Sequence, residues 1–249
     1  MALEGGLWTG RVVVITGATS GIGHEFAVRF VSEGAMVIAC GRNEAALHRL
    51  KEELSMVEAF RCDITEQADL QALEEFIQQR HAKLDVLVNN AGIMERIDLL
   101  DASVADERIV NEIAVNLAAP ILLTRRLLPL LRLGQSPTII MITSGYALLP
   151  ATRAPTYSAT KAGLRSFTIA LRRQLRAVGI RVVEVLPPLV DTPATHSVKR
   201  PKMPAAILVD VVLREIGRGR DEILPGKVRF LPALMRLTPA LATRVVARS

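Results

Sequence analysis

The feature that most constrains this chain is a regular alternation of short, β-branched apolar runs with helix-length amphipathic stretches, sustained over most of its length. Arg11–Thr16 reads as a strand, Gly21–Glu33 as a helix, Ala35–Cys40 as a strand and Glu44–Ser55 as a helix. The alternation continues with strand Val57–Cys62, helix Gln67–His81 and strand Asp85–Asn89, then a long helical stretch from about Asp106 to Leu133. Strand Thr138–Ser144, helix Tyr157–Val178, strand Ile180–Leu186, helix Met203–Gly217 and a short last strand, Glu222–Leu224, complete it. Strands separated by single helices are the mark of βαβ units, whose strands lie parallel. Val, Ile, Leu and Ala are plentiful and aromatics make up only 4% of the chain, which suits a sheet covered by helices on both faces. The expected fold is a doubly wound, three-layer α/β sandwich around a mostly parallel seven-stranded sheet.

A chain of 249 residues can form this as one domain. No shift in composition appears before about Pro225, so residues 1–225 are read as one unit and residues 226–249 as a tail. The tail carries Lys227, Arg229, Arg236, Arg244 and Arg248 without an acid, between apolar residues, and is broken by Pro232 and Pro239. A basic amphipathic segment is a membrane-surface candidate. Its shortness and its prolines favour packing on its own domain or on a partner subunit.

The formal net charge is +6, which admits nucleic acid, an anionic membrane or a phosphorylated ligand. No zinc-finger spacing occurs, and no basic block is interleaved with aromatics, so nucleic acid is not expected. A cationic surface around an anionic cofactor accounts for the charge. Cys40 and Cys62 each close an apolar run and make no C-x-x-C pair or cluster with the histidines. They read as buried thiols, no metal is expected, and the cytoplasm is the expected compartment. The N-terminus has no cationic segment ahead of an apolar core, so no signal peptide is expected. The apolar stretch Ile113–Leu133 is interrupted by Asn116, Pro120, Arg125 and Arg126, so no membrane span is expected either.

The first strand runs into Thr16-Gly17-Ala18-Thr19-Ser20-Gly21-Ile22-Gly23 and then a helix. Glycines here allow a tight turn and let backbone approach a pyrophosphate, while the helix start offers free N–H groups and a positive dipole end. The strand–loop–helix context makes this a dinucleotide-binding, Rossmann-like element. The position that reads the adenosine ribose falls at Gly41-Arg42-Asn43, after the second strand. An acid there would select NAD, whereas Arg42 suits the 2′-phosphate of NADP; NADP(H) is favoured and NAD(H) stays open.

Farther on, Ser144 ends a strand, and Tyr157 and Lys161 stand four residues apart on a helix, hence on one face. Reduction of a carbonyl needs a proton for the developing alkoxide, and a tyrosine near pKa 10 needs help at neutral pH. A neighbouring ammonium is expected to lower that pKa, so the tyrosine serves as general acid or base. Lys161 can also hold the nicotinamide ribose, and Ser144 can hydrogen-bond the substrate oxygen.

In this order, T-G-x-x-x-G-I-G, Ser144, and Tyr157-x-x-x-Lys161 resemble the short-chain dehydrogenase/reductase family over roughly residues 10–225. The resemblance implies that Asp63 contacts the adenine amine. It identifies Asn89-Asn90-Ala91-Gly92 as the family's N-N-A-G element beside the cofactor. It makes Asn116 the residue that bonds a backbone carbonyl and anchors a proton-relay water to the lysine. Pro187-Pro188-Leu189-Val190-Asp191-Thr192 matches the family's Pro-Gly segment, with Thr192 on the nicotinamide carboxamide and Pro188 in place of the glycine. The Gly41-Arg42-Asn43 turn, this Pro-Pro segment and Lys202-Met203-Pro204 further resemble bacterial reductases associated with lipoteichoic-acid D-alanylation. In the family the helices equivalent to about Asp106–Leu133 and Tyr157–Val178 pair across a two-fold axis, so a homodimer or homotetramer is expected. Arg125, Arg126, Arg172 and Arg173 would then lie at its rim.

The expected activity is interconversion of a carbonyl and an alcohol of a small molecule by NAD(P)(H). Met94, Tyr146, Leu149, Arg153 and Leu189 are the candidate substrate contacts. Two alternatives stay open: a non-catalytic nucleotide-sensing protein on the same scaffold, and a membrane-surface reductase of lipid-linked substrates.

Overall fold

The computed structural model describes residues 6–237. Its central sheet has seven strands in the order β3-β2-β1-β4-β5-β6-β9, every adjacent pair parallel. The strands are β1 Val12–Thr16, β2 Met36–Gly41, β3 Val57–Arg61, β4 Val86–Asn89, β5 Thr138–Ile142, β6 Arg181–Val185 and β9 Glu222–Ile223. A separate parallel pair, β7 Val190–Asp191 with β8 Met203–Pro204, was not foreseen.

Because side chains alternate across a strand, β1 feeds two separate cores. Val13 and Ile15 pack with Phe26 and Phe30 of α1 (Gly21–Ser32), Leu47 and Leu50 of α2 (Glu44–Glu53), and Leu208, Val209 and Val212 of α7 (Ala205–Gly217). Val12 and Val14 pack with Leu70, Leu73 and Ile77 of α3 (Gln67–Arg80), Leu123 and Leu127 of α5 (Ala119–Leu131), and Leu164 and Leu171 of α6 (Pro155–Leu175). The three-layer sandwich expected from the strand–helix alternation is therefore present, fully parallel rather than mostly so.

The long helical stretch divides into α4 (Asp106–Ile113), a π turn at Ala114–Ala118, and α5. By length and composition Asp106–Leu131 is apolar enough to cross a membrane. Within the fold, Leu123, Leu127 and Leu131 are fully buried in the core. Val110, Ile113 and Leu122, by contrast, are exposed on the same stretch. The helix expected from Met203 begins instead at Ala205, after β8. Pro204 explains the shift: it sits in the polyproline region, at φ −56° and ψ 137°, and caps rather than continues a helix. Of the expected tail, Gly226–Phe230 forms a 3₁₀ turn and Leu231–Leu237 a short helix, α8; Val228 is buried. The rest of the tail lies outside the described residues.

Candidate active site

The loops after β1, β2, β3, β4, β5 and β6 all leave the same edge of the sheet and line one continuous cleft of about 1040 Å³. The glycine loop forms its centre. Gly17 and Gly21 have φ of +64° and +56°, the left-handed region where a side chain is strained. Gly23 is excluded from bearing one at all: a Cβ would stand 2.2 Å from the Gly17 carbonyl oxygen and 2.6 Å from Asn90 Nδ2. Helix α1 starts at Gly21 behind an extended Ser20 whose side chain caps nothing, so the first-turn N–H groups face the cleft without a side-chain acceptor. That arrangement fits the pyrophosphate of a dinucleotide.

Asn90 braces the loop. Its Nδ2 donates to the carbonyls of Thr16 and Gly17 at 2.9 and 3.3 Å. In return, Thr16 Oγ1 accepts the N–H groups of Asn90 and Ala91, both at 3.0 Å. Thr192 closes the other side, its Cγ2 lying 2.9 Å from where a Cβ of Gly21 would stand. At the adenosine end Arg42 approaches Asp63 to 3.8 Å, its own side chain 65% exposed. Burial raises the Asp63 carboxyl, but hydrogen bonds from Thr65 and the charge of Arg42 outweigh it and hold the carboxyl below its ordinary value. No acid stands at the end of β2, and Glu44 is already inside α2.

At the other end, Ser144 Oγ accepts the Tyr146 N–H at 3.1 Å and is hydrogen-bonded to the Tyr157 hydroxyl. Lys161 is 4% exposed; its Nζ donates to the Ile142 carbonyl at 3.0 Å and lies 5.7 Å from the Tyr157 ring centroid. Asn116, in the π turn, brackets Ile93 with two bonds: Oδ1 accepts its N–H at 2.9 Å and Nδ2 donates to its carbonyl at 2.8 Å. The backbone bond expected of Asn116 is thus made. Gly92 lets the loop pass both groups: a Cβ there would lie 3.0 Å from Asn116 Oδ1 and 3.4 Å from Lys161 Nζ.

One expectation is corrected. Lys161 does not lower the tyrosine pKa in this structure. Burial pushes Tyr157 up to about 12, and burial pulls Lys161 down to about 8. Both groups lose hydration, and the ammonium lies over the ring face rather than at the phenol oxygen.

Thr19, Ser20, Gly21, Ile22, Ala91, Gly92, Pro187 and Val190 line the cleft as expected, with Met94, Tyr146, Leu149, Arg153 and Leu189. Gly23 and Asn116 lie behind its wall, acting through the backbone they hold. Two features went unread in the sequence. Glu184 of β6, fully buried, accepts Thr143 Oγ1 at 2.9 Å and pairs with Arg165 of α6 at 2.6 Å, which fastens the helix carrying Tyr157 and Lys161 to the strand ends beside Ser144. Glu112, also fully buried, accepts the Glu95 N–H at 2.7 Å through Oε1. An acid one helical turn before Asn116, among apolar residues, was the available signal for it.

A sequence model of the short chain dehydrogenase family matches residues 11–202, and this chain belongs to that family. Among individual proteins, it is 40% identical over 186 residues to the uncharacterized oxidoreductase DltE of Bacillus subtilis, covering 74% of this chain and 73% of that one. An uncharacterized oxidoreductase of Staphylococcus aureus is 32% identical over 189 residues, 75% of this chain and 81% of its own. A Burkholderia cenocepacia short chain dehydrogenase in complex with NADP superposes with a TM-score of 0.86 at 26% identity, covering 96% of this chain and 98% of that one. A Sphingobium yanoikuyae short-chain dehydrogenase in complex with NADPH does so with a TM-score of 0.78 at 31% identity, covering 93% and 94%. The family resemblance read in the motifs, down to the D-alanylation-associated reductases, is matched by these similarities.

Replacing Gly23 with alanine should abolish binding of both NADPH and NADH, followed by nucleotide fluorescence, because the new methyl group can be admitted only by opening the loop. Near-normal affinity with an unchanged fold would count against the loop as the pyrophosphate site.

Proposed function

We propose that this chain reduces a carbonyl group of a small molecule at the expense of NADPH, with Tyr157 as the proton donor. The observation that carries this reading is the convergence of Ser144, Tyr157, Lys161 and the Asn116-braced loop on one point of the nucleotide cleft. Bound nicotinamide cofactor supplies the hydride to the carbonyl carbon. Ser144 donates a hydrogen bond to the carbonyl oxygen and holds it beside the phenol. Tyr157 then gives its proton to that oxygen: its O–H bond breaks as the alcohol O–H forms, leaving a phenolate. Lys161 faces that phenolate as an ammonium, offers its remaining donors to the nicotinamide ribose, and is the nearest group to restore the proton. A phenol pushed up to about 12 is fully protonated at neutral pH, which suits donation and hence reduction. Oxidation would need the phenolate and therefore alkaline conditions.

The lining also bears on substrate class. Met94, Leu149, Leu189 and Leu231 supply an apolar wall, and Arg96, Arg153 and Lys227 add cations. Asp63, beside Arg42, is the sole carboxylate among the described lining residues. A carbonyl compound with an apolar body and an acidic group fits that wall. Screening paired keto acids and their methyl esters by NADPH absorbance should show turnover, with the acids preferred. Tyr157→Phe should lower it by about 10²- to 10⁴-fold while sparing cofactor binding. Full activity of the phenylalanine variant would refute the assigned role.

Arg42 supports NADP(H), because an exposed guanidinium at the ribose position can take a 2′-phosphate. Arg42→Ala should weaken NADPH roughly tenfold to a hundredfold, the worth of a charge-assisted hydrogen bond, and leave NADH almost unchanged. Equal losses for the two cofactors, in parallel titrations, would reject the preference.

The exposed Val110, Ile113 and Leu122 favour pairing of the α4–α5 stretch with a second copy. Light scattering at micromolar concentration should give the mass of a dimer or tetramer; a strictly monomeric mass would contradict it.

A further inference from the structure

The catalytic reading leaves one buried acid without a task. Glu112 is 0% exposed, projects from α4 beneath the loop that follows β4, and has one oxygen, Oε2, with no hydrogen-bond partner. Its other oxygen accepts the Glu95 N–H at 2.7 Å, and one helical turn later Asn116 brackets Ile93. Two successive side chains of one helix face therefore clamp alternate residues of the loop that walls the cleft at Met94 and Arg96. Burying an ionisable group with an orphan oxygen is costly unless a countercharge is near. The countercharge is the buried ammonium of Lys161. An amide at this position would serve the loop equally well as an acceptor, so the bond to Glu95 does not explain why an acid stands there.

We propose that Glu112 is a positioning residue of the active site: it clamps the loop through Oε1, and its negative charge keeps the protons on Tyr157 and Lys161, holding the site ready to donate. The other charged or titratable groups around it are few. Tyr146 meets Tyr157 edge-on with ring centroids 6.2 Å apart, and Glu95, on the far side of the clamped loop, is paired with Arg108. The field of Glu112 acts in the same sense on both catalytic groups, raising Tyr157 and raising Lys161 against the pull of burial.

This inference rests on Tyr157 being the proton donor, but its test does not need a substrate. The chain contains two tyrosines, Tyr146 and Tyr157, so phenolate formation can be followed by ultraviolet difference absorbance, with Tyr157→Phe identifying which step is which. Glu112→Gln keeps the acceptor for Glu95 and removes the charge. Its Tyr157 step should fall by about one pH unit, the effect of losing one nearby charge in a poorly hydrated site. Glu112→Asp keeps the charge but withdraws the carboxylate by one methylene. It should leave the tyrosine step in place while hydrogen exchange at the amides of Ile93–Arg96 speeds up. If alkaline unfolding, followed by circular dichroism, precedes the wild-type tyrosine step, the pH profile of carbonyl reduction decides. Its decline near pH 8, where Lys161 loses its proton, should move to lower pH in Glu112→Gln alone. A glutamine variant whose curves coincide with the wild type, or an aspartate variant that shifts as far as the glutamine one, overturns the proposal.

Discussion

Parallel strands cannot be joined by tight turns; each needs a crossover, and the crossover helix must lie on one face or the other. This chain lays β1, β2 and β3 outward in one direction, then returns to place β4 on the opposite side of β1. The loops after β1 and β4 consequently leave the sheet toward opposite faces and open a crevice between them. Everything else at the site depends on that reversal. It puts the start of α1 where an anion can reach it, and it sets Thr16 and Asn90 side by side so that each can satisfy the other's backbone. The later strands only extend the crevice: β5 ends in the residue before Thr143-Ser144, and Glu184 on β6 ties that end to the helix carrying Tyr157 and Lys161.

Hydration decides the chemistry of the catalytic pair more than proximity does. Transfer of an ionisable side chain out of water penalises whichever form is charged. For Tyr157 that form is the phenolate, and for Lys161 it is the ammonium, so burial moves the two in opposite directions and toward one another. The outcome is a neutral phenol beside a lysine able to change its charge near neutral pH, a donor with a rechargeable neighbour. Asp63 shows the opposite balance at the far end of the cleft, where hydrogen bonds and a guanidinium overcome partial burial and keep a carboxylate charged.

The layered fold was legible because it is written in periodicity, which survives without knowledge of the partner surface: β1 reads Val-Val-Val-Ile-Thr and is buried along its whole length. Residues with special backbone tasks, such as Gly17 and Gly23, were legible from a spacing with a geometric meaning. What stayed hidden depends on three dimensions. The β7–β8 pair is only two residues long on each side, too short to show a period. Glu184 looks like an ordinary charged residue of a strand until Thr143 and Arg165 are found on either side of it. Nor could the opposing effect of burial on Tyr157 and Lys161 be foreseen, because the distance from ammonium to phenol oxygen and the loss of water are properties of packing, not of an i, i+4 spacing.

The π turn at Ala114–Ala118 has a consequence for how this fold tolerates change in length. Such a turn accommodates one residue more than an α turn and so offsets the helix on either side in phase. Before it, α4 owes its orientation to the loop at the site, through Glu112; after it, α5 owes its orientation to the core, through Leu123 and Leu127. Removing a single residue from the turn would restore regular winding and rotate one half against the other by about 100°. Either the loop clamp or the core contact would then face the wrong way. Substitutions along this stretch are matters of degree, but a one-residue deletion is a matter of register, and the π turn is the fold's means of letting one helix keep two registers at once.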